Sequence, residues 1–579
     1  MKTKQLLQQV NKDTFIQDYL IACGVGDIQE YLNPTGKYID EPMNYENMTK
    51  GMKLIEGVVP KQSTDIYIVQ DCDVDGICSA ALMYKFLIFL GVHLDRIMVL
   101  FHDGKRHGLS DEIMDELYRG LLSEWSVNSK PLIILPDAGT NDVKQCKELA
   151  DLGCKILIID HHDKEVDNPY ATIINNQTSP NIYNKDLCGT GVVWKFITAY
   201  LKTHMENSQL TYMGLVDIVN FANLADVMDM RSAENRTIGK WANSLLDRLN
   251  HPFFEYLRKK YIKDNKATPE AFIWNIVPKL NAVCRLGGDD ASMELKSMVF
   301  DAFASDLFIQ DMVVPERDFF ADVTKKISKA YSKQKQIVKE IYGGIISERE
   351  PSENKVEIIT IGSTPYTGLI ASKLMDYYNK PVLLVHENGD VLSGSLRSPY
   401  PLKDTLNKSN LMLVCQGHEQ ACGVAWNKDD TEVLLEYCNG LNMPEPVVEV
   451  CCSYEPHKIP HDIFGMFDEW DYLYATGVPY PKFHIAPIRI SSKDIQLLGA
   501  SKTTIKFTYQ GVDYIKFFAT QTDKEKLYKD IFYERHDIPL ELEIVGKLEI
   551  NEYRGNQTEQ VHIDRFECRK YEPKLGDLW

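Results

Sequence analysis

Three carboxylates at alternate positions, Asp71, Asp73 and Asp75, closed by Gly76 in "DCDVDG", form a set that can bind a hard cation. A calcium loop of this kind also needs a carboxylate at its twelfth position and a helix on either side. Position twelve is Leu82, and the preceding "DIYIV" is apolar and β-branched, the pattern of a buried strand. The following "GICSAALMYKFLIFLG" predicts a helix opened at Gly76 and ended near Gly91. The calcium-loop reading fails on both counts, and the acids belong to a strand end that feeds a helix.

Two further segments repeat that grammar. "PLIILPDAG" runs an apolar strand into Asp137, and "CKILIIDHHDKE" runs another into Asp160, His161 and His162. One short helix between them gives a βαβ spacing, so the strands are predicted parallel. Ligands of open α/β sheets gather beyond the carboxyl ends of the strands, so one sheet edge would receive all these side chains. Asp226, in "NFANLADVMDM", follows an apolar helical stretch and is placed to close the cluster. Each acid alone reads as a helix cap and each histidine as a core residue. Together they suit Mn²⁺ or Mg²⁺ better than zinc. Two such ions sharing a carboxylate suit hydrolysis of a phosphoester, because they lower the pKa of water and neutralise phosphoryl charge.

The elements that must position this cluster belong to a chain of 579 residues, long enough for three or four domains. No apolar run reaches the roughly 18 residues of a membrane span, and the first residues lack the apolar stretch of a secretory signal. Thirteen scattered cysteines fit reduced thiols and a cytoplasmic protein. The net charge of −19 argues against a coat for nucleic acid but leaves room for local basic grooves. One such stretch is residues 321–340, with six lysines against Asp322 and Glu340. On charge alone it reads as a solvated helix face.

At Asp160-His161-His162 the chain resembles the DHH phosphoesterase superfamily, and within it the RecJ-like single-strand-specific 5′→3′ exonucleases, which occur in bacteria and their viruses. "DCDVDGICSAAL", "LPDAG", "IIDHH" and "LADVMDM" resemble the four DHH motifs in order. "LCGTGVVWKF" and "VPKLNAVCRLGG" are similar to the segments that follow, and "TGLIASKLMDYYNKPVLLV", "SGSLRS" and "QGHEQACGVAW" to the DHHA1 domain. The resemblance implies an α/β fold with a parallel-sheet DHH domain, a smaller α/β DHHA1 domain, a long helical connector and a C-terminal OB-like β-barrel. The expected divisions are 1–55 lead-in, 56–245 DHH, 246–350 connector, 351–445 DHHA1 and 446–579 a five-stranded OB-like barrel.

By position, the resemblance makes Asp71, Asp73, Asp137, His161 and Asp226 metal ligands for Mn²⁺ or Mg²⁺, two ions, with Asp137 as the bridge. It makes Asp160 the orienter of the imidazoles and directs His162 to the substrate phosphate or leaving group. Asp75 is read as a brace for the turn at Gly76. Arg285, Ser395, Arg397 and His418 are the substrate-side candidates, the first three for a 5′-terminal phosphate. Cys415, His418 and Cys422 as a zinc half-site would need a fourth ligand that is not evident. The chain departs from the family at Cys72, where a tyrosine is usual, and at Cys284 and Gln416, where glycines are usual. His107-Gly108-Leu109 stands in place of Gly-Tyr-Gly-Leu.

The implied function is a metal-dependent 5′→3′ exonuclease that degrades single-stranded DNA to 5′-mononucleotides. Its expected partners are single-stranded DNA and a single-strand-binding protein or helicase, with no membrane and a monomeric state. An oligoribonuclease or cyclic-dinucleotide phosphodiesterase is the first alternative, and a non-catalytic strand-binding scaffold the second.

Overall fold

The computed structural model describes the chain except residues 60–63, 122–129, 206–214, 244–250, 263–266, 305–315, 445–446, 501, 521–522, 525–526, 528–538, 554 and 572–579. It divides into two compact units. One comprises Asp27–Gln336 with Tyr472–Val478, the other Met1–Gly26, Ile337–Asp471 and Pro479–Trp579.

The first unit is built on strands β1 (Ile66–Gln70), β2 (Ile97–Phe101), β3 (Leu132–Pro136), β4 (Lys155–Asp160) and β5 (Thr172–Asn175). They form an all-parallel sheet in the order β2-β1-β3-β4-β5. Every residue of β1 and β3 is buried, which is why both read as unbroken apolar runs: a parallel sheet is covered on both faces. The alternation is exact to the residue. Ile66, Ile68, Leu132, Ile134, Leu157 and Ile159 face one core with α1 (Val74–Phe89), α3 (Gly189–His204) and α4 (Val216–Ala225). Tyr67, Val69, Ile133, Leu135, Ile156 and Ile158 face the other, with α2 (Val143–Asp151). Helices α5 (Pro252–Tyr261), α6 (Pro269–Asn275) and α7 (Val277–Cys284) follow. Helix α8 (Glu316–Glu348) then runs from this unit into the second. Val323 and Ile327 turn one side of α8 to the core, and Lys325, Lys329, Lys333, Lys335 and Lys339 are exposed.

In the second unit, β6 (Glu357–Ile361), α9 (Thr367–Tyr378) and β7 (Val382–Asn388) make a parallel βαβ step. Antiparallel strands β8 (Val391–Arg397), β9 (Met412–His418) and β10 (Ala421–Asn427) complete the order β9-β10-β8-β7-β6. A separate C-terminal sheet has the long hairpin Pro539–Tyr553 and Asn556–Lys570 at its centre and is consistent with an OB-like domain. It has seven strands among the described residues where five were expected. Its two edge strands, Ser453–Tyr454 and Gln496–Leu498, are too short to carry an alternation pattern. Among the described residues, no helix is long and apolar enough to cross a membrane.

Candidate metal centre

Strand register assembles the site. Ile68 pairs with Ile134, and Pro136 with Ile159, so carrying each register forward sets Asp71, Asp137 and Asp160 abreast at the carboxyl edge. All three are about 1% exposed. The turn after β1 is tight: a Cβ on Gly76 would lie 2.4 Å from Asp71 O, so only glycine fits. Asp73 caps α1, accepting a hydrogen bond from Gly76 N at 2.9 Å.

Asp75 reaches across to the first turn of α3. Its carboxylate accepts from Gly189 N at 2.7 Å and from Thr190 N at 2.9 Å, and from the Thr190 hydroxyl. The negative charge sits against a helix N-terminus, which stabilises it. The same Asp75 carboxylate faces inward, with Oδ2 3.8 Å from His161 Nε2. It is therefore a brace whose other side faces the cluster.

Asp137 has φ of 79°, a left-handed conformation uncommon for a residue with a side chain, fixed in part by its N–H donating to Ile159 O at 2.7 Å. Its Oδ1 is buried, accepts no hydrogen bond and lies 3.2 Å from His161 Nε2. His161 Nε2 is also 3.5 Å from Asp226 Oδ2, at the C-terminus of α4. Three sets of side chains have donor atoms within 4.8 Å of one another: Asp71–Asp73–Asp137, Asp75–His161–Asp226 and Asp137–His161–His162. Asp137 joins two of the three.

Electrostatics agrees with a cation at this place. Burial, then the charges of Asp75 and Asp73, push Asp137 and Asp226 well above the ordinary carboxylate range. Burial and the neighbouring acids Asp71 and Asp75 push Asp73 up to about 6. Burial and the charge of His162 hold the His161 imidazole below its ordinary value, which favours the neutral, ligating form. A buried carboxylate oxygen without a donor is costly, and an oxygen-rich set with one neutral imidazole fits Mn²⁺ or Mg²⁺.

Asp160 has a different surrounding. Its Oδ2 accepts from Thr140 N and Oγ1, at 3.1 and 2.6 Å. Its Oδ1 accepts from His161 N at 2.7 Å, from His162 N at 3.2 Å and lies 2.8 Å from His162 Nδ1. It thus orients the His162 ring directly and His161 only through the backbone. Burial would raise the Asp160 pKa, but His162, His161 and Thr140 hold it below its usual range. Burial opposes charge on His162, yet Asp160 lifts it to about 10, so this half-exposed ring is an imidazolium at neutral pH.

Sequence reasoning missed a second pair of imidazoles. His107 Nδ1 lies 2.6 Å from Asp71 Oδ2, and Gly108 N donates to Asp71 Oδ1 at 3.2 Å. Buried His102 has Nε2 3.9 Å from Asp71 Oδ1 and is lowered to about 4, first by burial. Burial would raise Asp71 too, but His107 and His102 hold it below its usual value. The signal for His107 was present as the departure from Gly-Tyr-Gly-Leu. Asn175 and Gln177 were also missed: Asn175 Nδ2 donates to His162 O at 2.9 Å, and Gln177 Nε2 to His161 O at 3.1 Å.

Arg285 caps the C-terminus of α7 in the first unit. Ser395, Arg397 and His418 lie in the second unit, brought to one end of its sheet: Arg397 and His418 both pair with Ala421. The Ser395 hydroxyl is 2.9 Å from that of Thr367, and a Cβ on Gly368 would lie 2.6 Å from Arg397 Nη2. Ser395 and Arg397 thus sit beside the N-terminus of α9. Cys415 Sγ and Cys422 Sγ are 3.6 Å apart, but among the described residues no metal-holding group includes them.

Residues 65–218 match the model of the DHH family, N-terminal domain. The chain is 28% identical over 542 residues, covering 88% of each protein, to the putative SPbeta prophage-derived single-strand DNA-specific exonuclease YorK of Bacillus subtilis. It is 24% identical over 584 residues to the single-stranded-DNA-specific exonuclease RecJ of the same organism, covering 97% of this chain and 69% of the relative. Among solved structures it resembles RecJ of Thermus thermophilus in complex with Mn²⁺, with a TM-score of 0.67 at 18% identity. That match covers 99% of this chain and 79% of the other.

Proposed function

We propose that this chain, whose residues 65–218 are a DHH-family domain, is a metal-dependent exonuclease that hydrolyses single-stranded DNA from the 5′ end to 5′-mononucleotides. The observation that carries the reading is the buried Asp137 Oδ1, which accepts no hydrogen bond, on a residue shared by two groups of side chains each able to hold a cation. The relatives named single-strand-specific exonucleases supply the substrate class.

On this reading Asp71, Asp73 and Asp137 would hold one divalent ion, and Asp75, His161 and Asp226 would hold the other. Asp75 is added to the ligands expected from the sequence. Such ions would supply a nucleophile at neutral pH and neutralise phosphoryl charge. The chain's own residues do the rest. His107 and Gly108 fix the Asp71 carboxylate, and the first turn of α3 fixes Asp75. His162, charged by Asp160, offers a proton and a positive charge to a phosphate oxygen at the rim. In the second unit, Ser395 and Arg397, beside the N-terminus of α9, would take a terminal phosphate, with His418 at the same end of the sheet as a further substrate-side group. In the first unit Arg285 is the candidate for a phosphate. The divisions 56–245, 246–350, 351–445 and 446–579 serve as DHH, connector, DHHA1 and OB-like domains.

Release of nucleotides from a 5′-labelled single strand with Mn²⁺ tests the reading. Asp137→Ala should abolish it, and undiminished release would overturn the assignment. A 3′-labelled strand reports polarity. A 30-mer cut no better than a dinucleotide would favour the oligoribonuclease reading.

A further inference from the structure

Helix α7 links the metal centre to a second patch. At its C-terminal end, Cys284 O accepts a hydrogen bond from the thiol of Cys72, which lies between Asp71 and Asp73. Lys279 lies five residues back, about 7.5 Å along the axis at 1.5 Å per residue. The Lys279 ammonium donates to Asn275 O and sits over two rings, 4.5 Å from the centre of Tyr261 and 5.3 Å from that of Tyr331. From α8, Lys335 lies over the same Tyr331 ring at 4.6 Å. Trp274, beside Asn275, is 68% exposed.

A solvated helix face is the plain explanation of basic residues here, and it does not account for Lys279. That side chain is half buried on aromatic faces rather than extended into water. Among the described residues neither Lys279 nor Lys335 is ion-paired, whereas Lys259 and Lys326, on the packed helices, are paired with Glu255 and Glu294. Burial and the charge of Lys335 hold the Lys279 pKa below the ordinary lysine value, as expected for cations crowded without a counter-ion. On a chain of net charge −19, two neighbouring lysines without an ion pair among the described residues run against the average. Two ammonium groups held on one tyrosine ring, with an exposed indole five residues before Lys279 in the chain, are what a single strand uses: charge for the phosphates, a ring face for a base.

We propose that Lys279, Lys335 and Trp274, with Tyr331 holding the two ammonium groups, form a second strand-binding subsite, displaced along α7 from the metal centre, that grips two phosphates and a base of a single-stranded polynucleotide. The subsite rests on the nuclease reading above and extends its footprint.

The test measures binding of a fluorescent 30-mer oligothymidylate to the full-length protein without divalent ions, across a range of salt. Each neutralised phosphate contributes about 0.7 to the slope of log K against log salt for a single strand. The K279A/K335A variant should therefore lose about 1.4 from that slope, and K279R/K335R should retain it. W274A should weaken binding about tenfold, and W274F much less. With Mn²⁺, hydrolysis of a dinucleotide should be unchanged in all four variants. Wild-type slope and affinity in K279A/K335A and W274A would overturn the subsite, as would equal losses on the dinucleotide and the 30-mer. A wild-type protein that neither binds nor cuts the 30-mer would instead overturn the nuclease reading on which the subsite depends.

Discussion

Gly189→Ala probes the centre without touching a charged group. A Cβ on Gly189 would lie 2.2 Å from Asp137 Oδ1 and 2.7 Å from Asp137 Cβ and Cγ. Ordinary contact begins at 3.4 Å, so the oxygen would have to move by about 1.2 Å. Asp137 has no room to retreat. It is 1% exposed, has φ of 79° and is tied through its N–H to Ile159 O. If α3 moves instead, it pulls Gly189 N and Thr190 N off the Asp75 carboxylate. Either way a cation-facing oxygen is misplaced by about an ångström, which lowers turnover on the order of a hundredfold. Overpacking costs about 1–3 kcal/mol, or several degrees of melting temperature in a unit of this size. The assays are nucleotide release from 5′-labelled single-stranded DNA with Mn²⁺, and melting with and without Mn²⁺. Gly57→Ala is the control, since its Cβ would meet only Lys155 Nζ, at 3.9 Å. Activity of the Gly189 variant within twofold of wild type would refute the reasoning.

Two other perturbations address the same geometry. Without a cation, burial and the neighbouring acids raise the carboxyl pKa values of Asp73, Asp137 and Asp226, Asp73 to about 6, while a divalent ion needs them ionised. Binding Mn²⁺ should therefore release protons and tighten as pH rises through about 6; calorimetric enthalpies independent of buffer ionisation would contradict this. At a hundred times the dissociation constant, Mn²⁺ should add about 2.7 kcal/mol to stability. His107→Ala frees Asp71 Oδ2 from its 2.6 Å partner and should weaken Mn²⁺ binding roughly 10- to 100-fold, with His107→Tyr retaining much of it. An unchanged titration for the alanine variant would remove His107 from the centre.

The parts of this molecule legible in the sequence are those that burial writes into a local pattern. The continuous apolar runs of β1, β3 and β4 follow from a sheet covered on both faces, and the acids that end them follow from the edge where such runs stop. The residues alone placed Asp226 to close the cluster, but its assignment as a ligand came from the family resemblance, because a carboxylate after a helix has many other uses. Contacts between distant segments left little local trace, for His107 no more than a departure from the family motif. His107 meets Asp71 across 36 residues, and Asp75 meets Gly189 across 114. Lys279 and Tyr331 are brought together by helix packing that no periodicity records. At the sheet edges, Ser453–Tyr454 and Gln496–Leu498 hold too few residues to alternate.

Asp75 shows why the two readings of one carboxylate need not compete. Local sequence favoured a brace at the turn, and the structure supplies the bonds of one, though to α3 rather than to the turn itself. Those bonds come from a helix N-terminus, whose N–H groups and partial positive charge are complementary to a carboxylate. An acid held in this way presents its remaining lone pairs to His161 at a fixed distance, 3.8 Å from Nε2. Gly189 then serves both ends of the arrangement: its N–H anchors Asp75, and its missing Cβ leaves room for Asp137. The glycine-rich start of α3 is thus part of the metal centre although it contributes no ligand, and this is where a purely ligand-based reading of the motifs falls short.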